Sequence, residues 1–356
     1  MSSVLVLLVN LGTPDSPEPD SVRAFLSEFL TDPLVVDLPG WLWRPILHGM
    51  VLRSRPAKVA RLYESIWYRQ PCGDVCPGAG CSPLSCGTRR VAAALRQELG
   101  SGFRVDWAYR YGQRSIRRAL SQVAVQEADR IFVVPLFPQR TCSTSGSIIE
   151  ETRCVAAAFG LADRVQIVQI PPDEPGYVKA LAGRCRTALE RLPEPPGHLL
   201  ISFHGIPRRY DRREGGRYSD DCLRTALGLV EELDWDPPTA TLCYQSKFGP
   251  EPWLTPATAD RIQELAVQGI RQLAVVTPGF LTEGLETLEE IGQRGQETFV
   301  QSGGDRLVCL PAVEDDASFV RGLSRLIHER LETEGVGRSA ERERAPTASR
   351  SLERAP

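Results

Sequence analysis

The sequence predicts an α/β protein made of two similar halves, each a four-stranded parallel sheet flanked by helices. Short apolar runs recur at wide intervals, helix-period segments lie between them, and the turns closing equivalent runs look alike in the two halves. Strand and helix in alternation imply parallel sheets covered on both faces. The 356 residues suffice for about two domains of ~150 residues. With 42% hydrophobic and 24% charged residues the composition is that of a globular protein with a sizeable core, which excludes global disorder. Lys and Arg number 42 against 45 Asp and Glu, so no broad basic field exists to hold nucleic acid.

Taken in order, the run Val4 to Leu11 has no basic segment before it and no small-residue cleavage site after it. It is therefore expected to be a strand and not an export signal, and the protein to be cytoplasmic. A helical pattern follows at Val22 to Phe29. The apolar stretch Pro33 to Leu52 is broken by Asp37, Pro39, Arg44 and Pro45, which argues against a membrane span. Helix-period residues Val91 to Leu99 precede strands at Val105 to Tyr109, Ile131 to Pro135 and Val165 to Ile170. Prolines 171, 172 and 175 mark the join, giving halves at residues 1–173 and 174–334. The second half repeats the plan. Strands Leu199 to Phe203, Ala240 to Tyr244, Leu273 to Thr277 and Leu307 to Leu310 alternate with helices Tyr177 to Leu192, Leu223 to Leu233, Ile262 to Val267 and Phe319 to Leu331. Residues 335–356 lose the apolar spacing and are expected to be a disordered, solvated tail.

First strands finish in Leu11-Gly12-Thr13-Pro14 and His204-Gly205-Ile206-Pro207, third strands in Pro135-Leu136-Phe137 and Pro278-Gly279-Phe280. Matching turns indicate an internal duplication. Because ligands of open parallel sheets bind beyond the carboxyl ends of the strands, a shared cleft between the halves is expected.

Two groups at these turns could carry chemistry. His204 closes a buried strand and is followed by Gly205 and Pro207, a turn that would expose its ring at the cleft. Glu283, Glu286 and Glu290 are spaced i, i+3 and i+7, one face of an α-helix. Carboxylates in a first turn are favoured by the helix dipole whatever their role; as a functional row they would suit a divalent cation or hold protons. No phosphate-binding loop, dinucleotide fingerprint or His-Glu-x-x-His motif is present. A base, a line of carboxylates and an apolar cleft suit a large, flat, mostly apolar ligand.

Seven blocks in order resemble the ferrochelatase family, whose members insert ferrous iron into a porphyrin. They are Asn10–Pro14, Phe29–Pro33, Arg110–Gly112, Pro138-Gln139 with Ser143–Ser147, Ser202–Pro207, Tyr244–Leu254, and Pro278–Phe280 with Leu285–Leu288. The resemblance implies two Rossmann-like halves around a porphyrin cleft, protoporphyrin IX and Fe2+ as substrates, and His204 and Glu286 as the catalytic pair. His204 would remove pyrrole protons, Glu286 would assist proton or metal transfer, and Glu283 and Glu290 would continue an acidic path. It further implies porphyrin contacts at Leu11, Leu30, Leu34 and Trp253, and propionate cations at Arg55 and Arg110. An apolar lip from Phe29 to Trp43 could touch a bilayer surface. Arg140 stands where many members have tyrosine, and the apolar Leu11 favours protoporphyrin over coproporphyrin.

Residues 71–79 extend the chain where most members run directly on, and with the following segment place Cys72, Cys76, Cys81 and Cys86 in a C-x3-C-x4-C-x4-C pattern. These spacings are looser than zinc knuckles, and some ferrochelatases carry a 2Fe-2S cluster. The cluster is the expectation, ahead of structural zinc and disulfides. Cys142, Cys154, Cys185, Cys222, Cys243 and Cys309 are scattered and are expected to pack as small apolar residues.

Overall fold

The computed structural model describes residues 3–70, 80–126 and 128–344. Eight strands form two four-stranded sheets, every pairing parallel. In the first, β1 (Val4–Asn10), β2 (Phe103–Tyr109), β3 (Arg130–Pro135) and β4 (Val165–Ile167) take the order β2-β1-β3-β4. In the second, β5 (His198–His204), β6 (Ala240–Gln245), β7 (Gln272–Val276) and β8 (Arg306–Cys309) take the order β6-β5-β7-β8. The second order is the first shifted by four strands, as the duplicated turns predict. Each half opens with a central strand, and the residues ending β1 and β5 pair with the last residues of β2 and β6, Asn10 with Tyr109 and His204 with Gln245.

The period-2 alternation of β1 sorts its side chains between two cores. Val4, Val6 and Leu8 join a large cluster with Leu199, Ile201 and Phe203 of β5, and with Leu95, Leu181, Phe319 and Leu323 of the intervening helices. Leu5, Leu7 and Val9 instead face an outer cluster with Ile116, Leu120, Ile148 and Val155. The inner cores of both halves are thus one body. The helices Pro83–Leu99, Pro175–Leu189 and Ala317–Arg344 lie between the sheets, and each fully buried Leu or Phe there contributes ~1.5–3 kcal/mol.

Several boundaries differ from the sequence reading. The helix predicted from Val91 starts at Pro83, because the Ser82 hydroxyl accepts the Ser85 N–H at 3.1 Å and Pro83 occupies the first turn. The stretch from Gly40 to Val51 is helical, passing from Gly40–Ile46 into a π-helical turn at Leu47–Val51. The last helix runs to Arg344, past Glu334, where the sequence reading expects a disordered tail. Among the described residues no helix is long and apolar enough to cross a membrane.

Candidate active site

The carboxyl ends of both sheets meet. Asn10, the last residue of β1, donates from Nδ2 to Thr88 Oγ1 (3.3 Å) and to Thr282 Oγ1 (3.4 Å), linking the halves at the cleft floor. Tyr177 OH donates to the Pro278 carbonyl at 2.8 Å and supports the turn after β7. Between the halves opens a cleft with a volume of about 120 Å3, walled by both of them. The first half lines it with Leu11, Gly12, Phe25, Phe29, Tyr63 and Ile66, the second with Phe280, Thr282, Leu285 and Glu286.

His204 ends β5, and its backbone carbonyl accepts Tyr218 OH at 2.6 Å. The turn beyond it needs glycine. A Cβ at Gly205 would lie 2.8 Å from the Gln245 carbonyl oxygen and 3.0 Å from the Trp253 ring. Nδ1 of His204 lies 2.7 Å from the Gly205 carbonyl oxygen. A carbonyl only accepts, so Nδ1 carries the hydrogen and Nε2 keeps its lone pair, the tautomer that takes up a proton. The ring is 6.5 Å from that of Trp253 and 6.3 Å from that of Phe280, which itself lines the cleft.

Glu286 is the second residue of a π-helix, Leu285–Gly295, where the sequence reading has an α-helix. Its backbone carbonyl accepts Gln245 Nε2 at 2.9 Å, and Ser202 Oγ donates to Gln245 Oε1 at 2.7 Å. The strands that carry His204 and Gln245 therefore also hold Glu286. Burial raises the Glu286 carboxyl above its usual range; His204 acts against this, while Glu290 and Glu289 add to it. The Tyr63 hydroxyl is likewise held above its ordinary range, by burial first and by Glu286 second.

The i→i+5 winding separates the three glutamates that an α-helix would align. Glu286 lines the cleft. Glu283 precedes the helix, one oxygen accepting the Ala312 N–H at 2.8 Å and the other the Thr287 hydroxyl at 2.5 Å. Glu290 accepts the Ser246 N–H at 2.8 Å and Ser246 Oγ at 2.5 Å, with Ser246 in the left-handed region at φ 63°.

The expected porphyrin contacts are spread around this cleft. Leu11 lines it; Leu30 and Leu34 are half-buried in the adjoining lip, where their carbonyls accept Trp43 Nε1 (2.6 Å) and the Cys142 thiol (3.7 Å). Trp253 stands beside His204, its indole N–H buried without a partner. Arg55 stacks over the Phe248 ring at 4.1 Å. Arg110 donates to Asp32 Oδ2 at 2.8 Å and to Ser147 Oγ at 2.7 Å, an engagement its sequence position does not reveal. Arg140 donates to Gln169 Oε1 at 3.1 Å. Asn10, Tyr63, Gln245 and Ser246 are site-building residues that the sequence reading left without a role; Gln245 and Ser246 lay inside a recognised block, Tyr63 in none.

The iron–sulfur expectation is corrected. Among the described residues no group of three or more His, Cys, Asp or Glu side chains could hold a metal ion. Cys72 and Cys76 lie outside the described residues. Cys81 and Cys86 place their sulfurs 2.9 Å apart, whereas two thiolates sharing a tetrahedral metal with bonds of about 2.3 Å stand about 3.8 Å apart. For Cys81 and Cys86 the spacing reading failed because nearness in sequence does not fix the distance between two sulfurs. Of the scattered cysteines, Cys185, Cys222 and Cys243 are buried as expected, Cys142 and Cys309 are half-buried, and Cys154 is exposed.

Duplicated parallel α/β halves, an apolar slot between them, and a carboxylate on its wall with an imidazole beside it are the architecture of a two-lobed metal chelatase. A solved structure described as SirB from Bacillus subtilis with Fe3+ shares this fold at a TM-score of 0.50, with 14% identity, 92% of this chain and 95% of that one covered. The ferrochelatase family profile matches residues 4–331. Ferrochelatase of Edwardsiella ictaluri is 39% identical over 90% of this chain and 96% of its own length. That of Bordetella pertussis is 39% identical over 92% and 88%, and that of Nitrosococcus oceani 37% over 95% and 92%. The chain belongs to the ferrochelatase family, and is an enzyme that inserts iron into a tetrapyrrole.

Proposed function

We propose that the tetrapyrrole is protoporphyrin IX, and that the chain joins it to Fe2+ to form haem b with release of two protons. The observation that carries this reading is the apolar cleft itself, walled by Leu11, Phe25, Phe29, Phe280 and Leu285, with Glu286 on its lining and the His204 ring 6.3 Å from that of Phe280. Two pyrrole N–H protons must leave as the metal enters, and neutral imidazole with a free Nε2 is a suitable acceptor near pH 7. His204 takes up a proton at Nε2. Glu286, whose carboxyl is raised by burial, receives protons or passes metal inward. Glu283 and Glu290 serve less as open ligands than as supports, since each is bonded to the helix or its neighbouring loop.

Leu11 at the cleft wall favours the apolar vinyl edge of protoporphyrin. Arg55 is the better placed propionate partner, because Arg110 is already bonded to Asp32. An insertion assay with Fe2+ and either protoporphyrin IX or coproporphyrin III tests the assignment; faster turnover of coproporphyrin overturns it. The alternatives, another chelatase or a binding protein that never metallates, fall if iron is inserted into protoporphyrin.

A peripheral position at the inner face of a membrane is the second element of the proposal. Leu38, Trp41, Leu42, Ile46 and Met50 are exposed on the lip, Trp41 at 79%, and exposed apolar patches mark interaction surfaces. Co-sedimentation with liposomes should be lost in Trp41→Ser/Met50→Ser; binding unchanged in that variant overturns the contact.

A further inference from the structure

The arm that follows His204 is tied to the opposite half through an exposed carboxylate. The helix Arg208–Arg213 starts just beyond the His204–Pro207 turn. From it Arg209 Nη1 and Arg213 Nη1 each donate to Asp37 Oδ2 at 2.9 Å. The Asp37 backbone N–H donates to Tyr210 OH at 3.1 Å, and Tyr210 is buried with both guanidinium groups near its ring, at 4.5 and 5.3 Å. Arg209 also pairs with Glu251, in the loop that leads to Trp253. Asp37 itself belongs to the lip, on the segment leaving the helix whose Phe25 and Phe29 line the cleft.

The side chains of Asp37, Arg209 and Arg213 are 39%, 45% and 52% exposed, so each pair alone is weak and screened by salt. Two cations sharing one carboxylate, with the backbone N–H of the same residue fixed on a buried hydroxyl, make a cross-cleft node. Its two sides are the apolar wall of the first half and the arm of the second half that begins at His204.

We propose that Asp37 is a positioning residue: it latches the lip to the helix that follows His204, and so sets how readily a macrocycle is admitted and released. This rests on the tetrapyrrole reading above. The test uses the full chain loaded with protoporphyrin IX, whose dissociation into an excess of haem-free globin is followed by fluorescence, together with insertion kinetics. Asp37→Ala is expected to dissociate about three- to tenfold faster, with KM raised in proportion and kcat within about twofold. Asp37→Glu should restore the wild-type rate. Salt at about 0.5 M should bring wild type towards the Asp37→Ala rate and leave Asp37→Ala unmoved. Equal dissociation in wild type and Asp37→Ala, equal salt acceleration in both, or failure of Asp37→Glu to rescue overturns the latch while the functional reading stands. A wild-type protein that binds no protoporphyrin overturns both.

Discussion

In the first half β1 ends in Asn10, and the helix after β3 opens with a π-helical turn, Cys142–Gly146, that contains no acid. In the second half β5 ends in His204, and the segment after β7 opens with the much longer π-helix Leu285–Gly295, which carries Glu286, Glu289 and Glu290. Strand order, register and turn placement are repeated, yet an imidazole and carboxylates stand at one pair of strand ends and an apolar wall with an amide bridge at the other. Duplication supplied two equivalent rims; the chemistry depends on which side chains each rim received and on how far the wider winding extends.

The sharpest way to break this contrast is His204→Ala. Loss of a positioned proton acceptor should lower iron insertion by roughly 10²–10⁴, with protoporphyrin binding, read by its absorption shift, retained. Asn10→Ala at the equivalent strand end should leave turnover far less affected. If both variants lose activity equally, the assignment of chemistry to the second half is wrong.

Glu286→Gln comes next, with a fall in kcat on the order of 10²–10³ and the opposite effect on stability. Its folded carboxyl is raised, chiefly by burial. The native state therefore holds a proton that the unfolded state has released, and stability falls as pH rises above the ordinary carboxylate range. Gln removes that slope. Thermal melts from pH 4.5 to 8 should show the variant gaining on wild type as pH rises; parallel curves refute the buried-carboxylate account.

Gly205→Ala sharpens the comparison through packing. A Cβ there meets the Gln245 carbonyl and Trp253, so a destabilisation of about 1–3 kcal/mol and a displaced imidazole are expected, read by urea titration and by KM for porphyrin. The smallest effect belongs to Asn10→Ala itself. It removes the amide from two buried hydroxyls, for about 1 kcal/mol; a loss of more than about 3 kcal/mol would mean the bridge supports more of the rim than these two bonds.

The sheets were legible because a buried parallel strand is a nearly continuous apolar run, and the runs Val4 to Leu11 and Leu199 to Phe203 have little else to be. The placement of His204 at a strand end and of Glu286 in a first helical turn was legible from the sequence. The π-winding was not, since i→i+5 bonding leaves no apolar period of its own in Leu285 to Gly295, and an i, i+3, i+7 reading aligned glutamates that the structure turns apart. Nor was the Asp32–Arg110 pair, whose members are far apart along the chain and meet only because the lip folds back onto Ser147. The cysteine reading failed at Cys81 and Cys86 because spacing along the chain does not say whether two sulfurs stand at the distance a shared metal requires.

One inner core joins the bases of both rims. Close-packed interiors yield little, so the two rims cannot drift apart at their base, and any widening of the slot has to come from its outer edge, where the lip and the arm after His204 are held by exposed ion pairs.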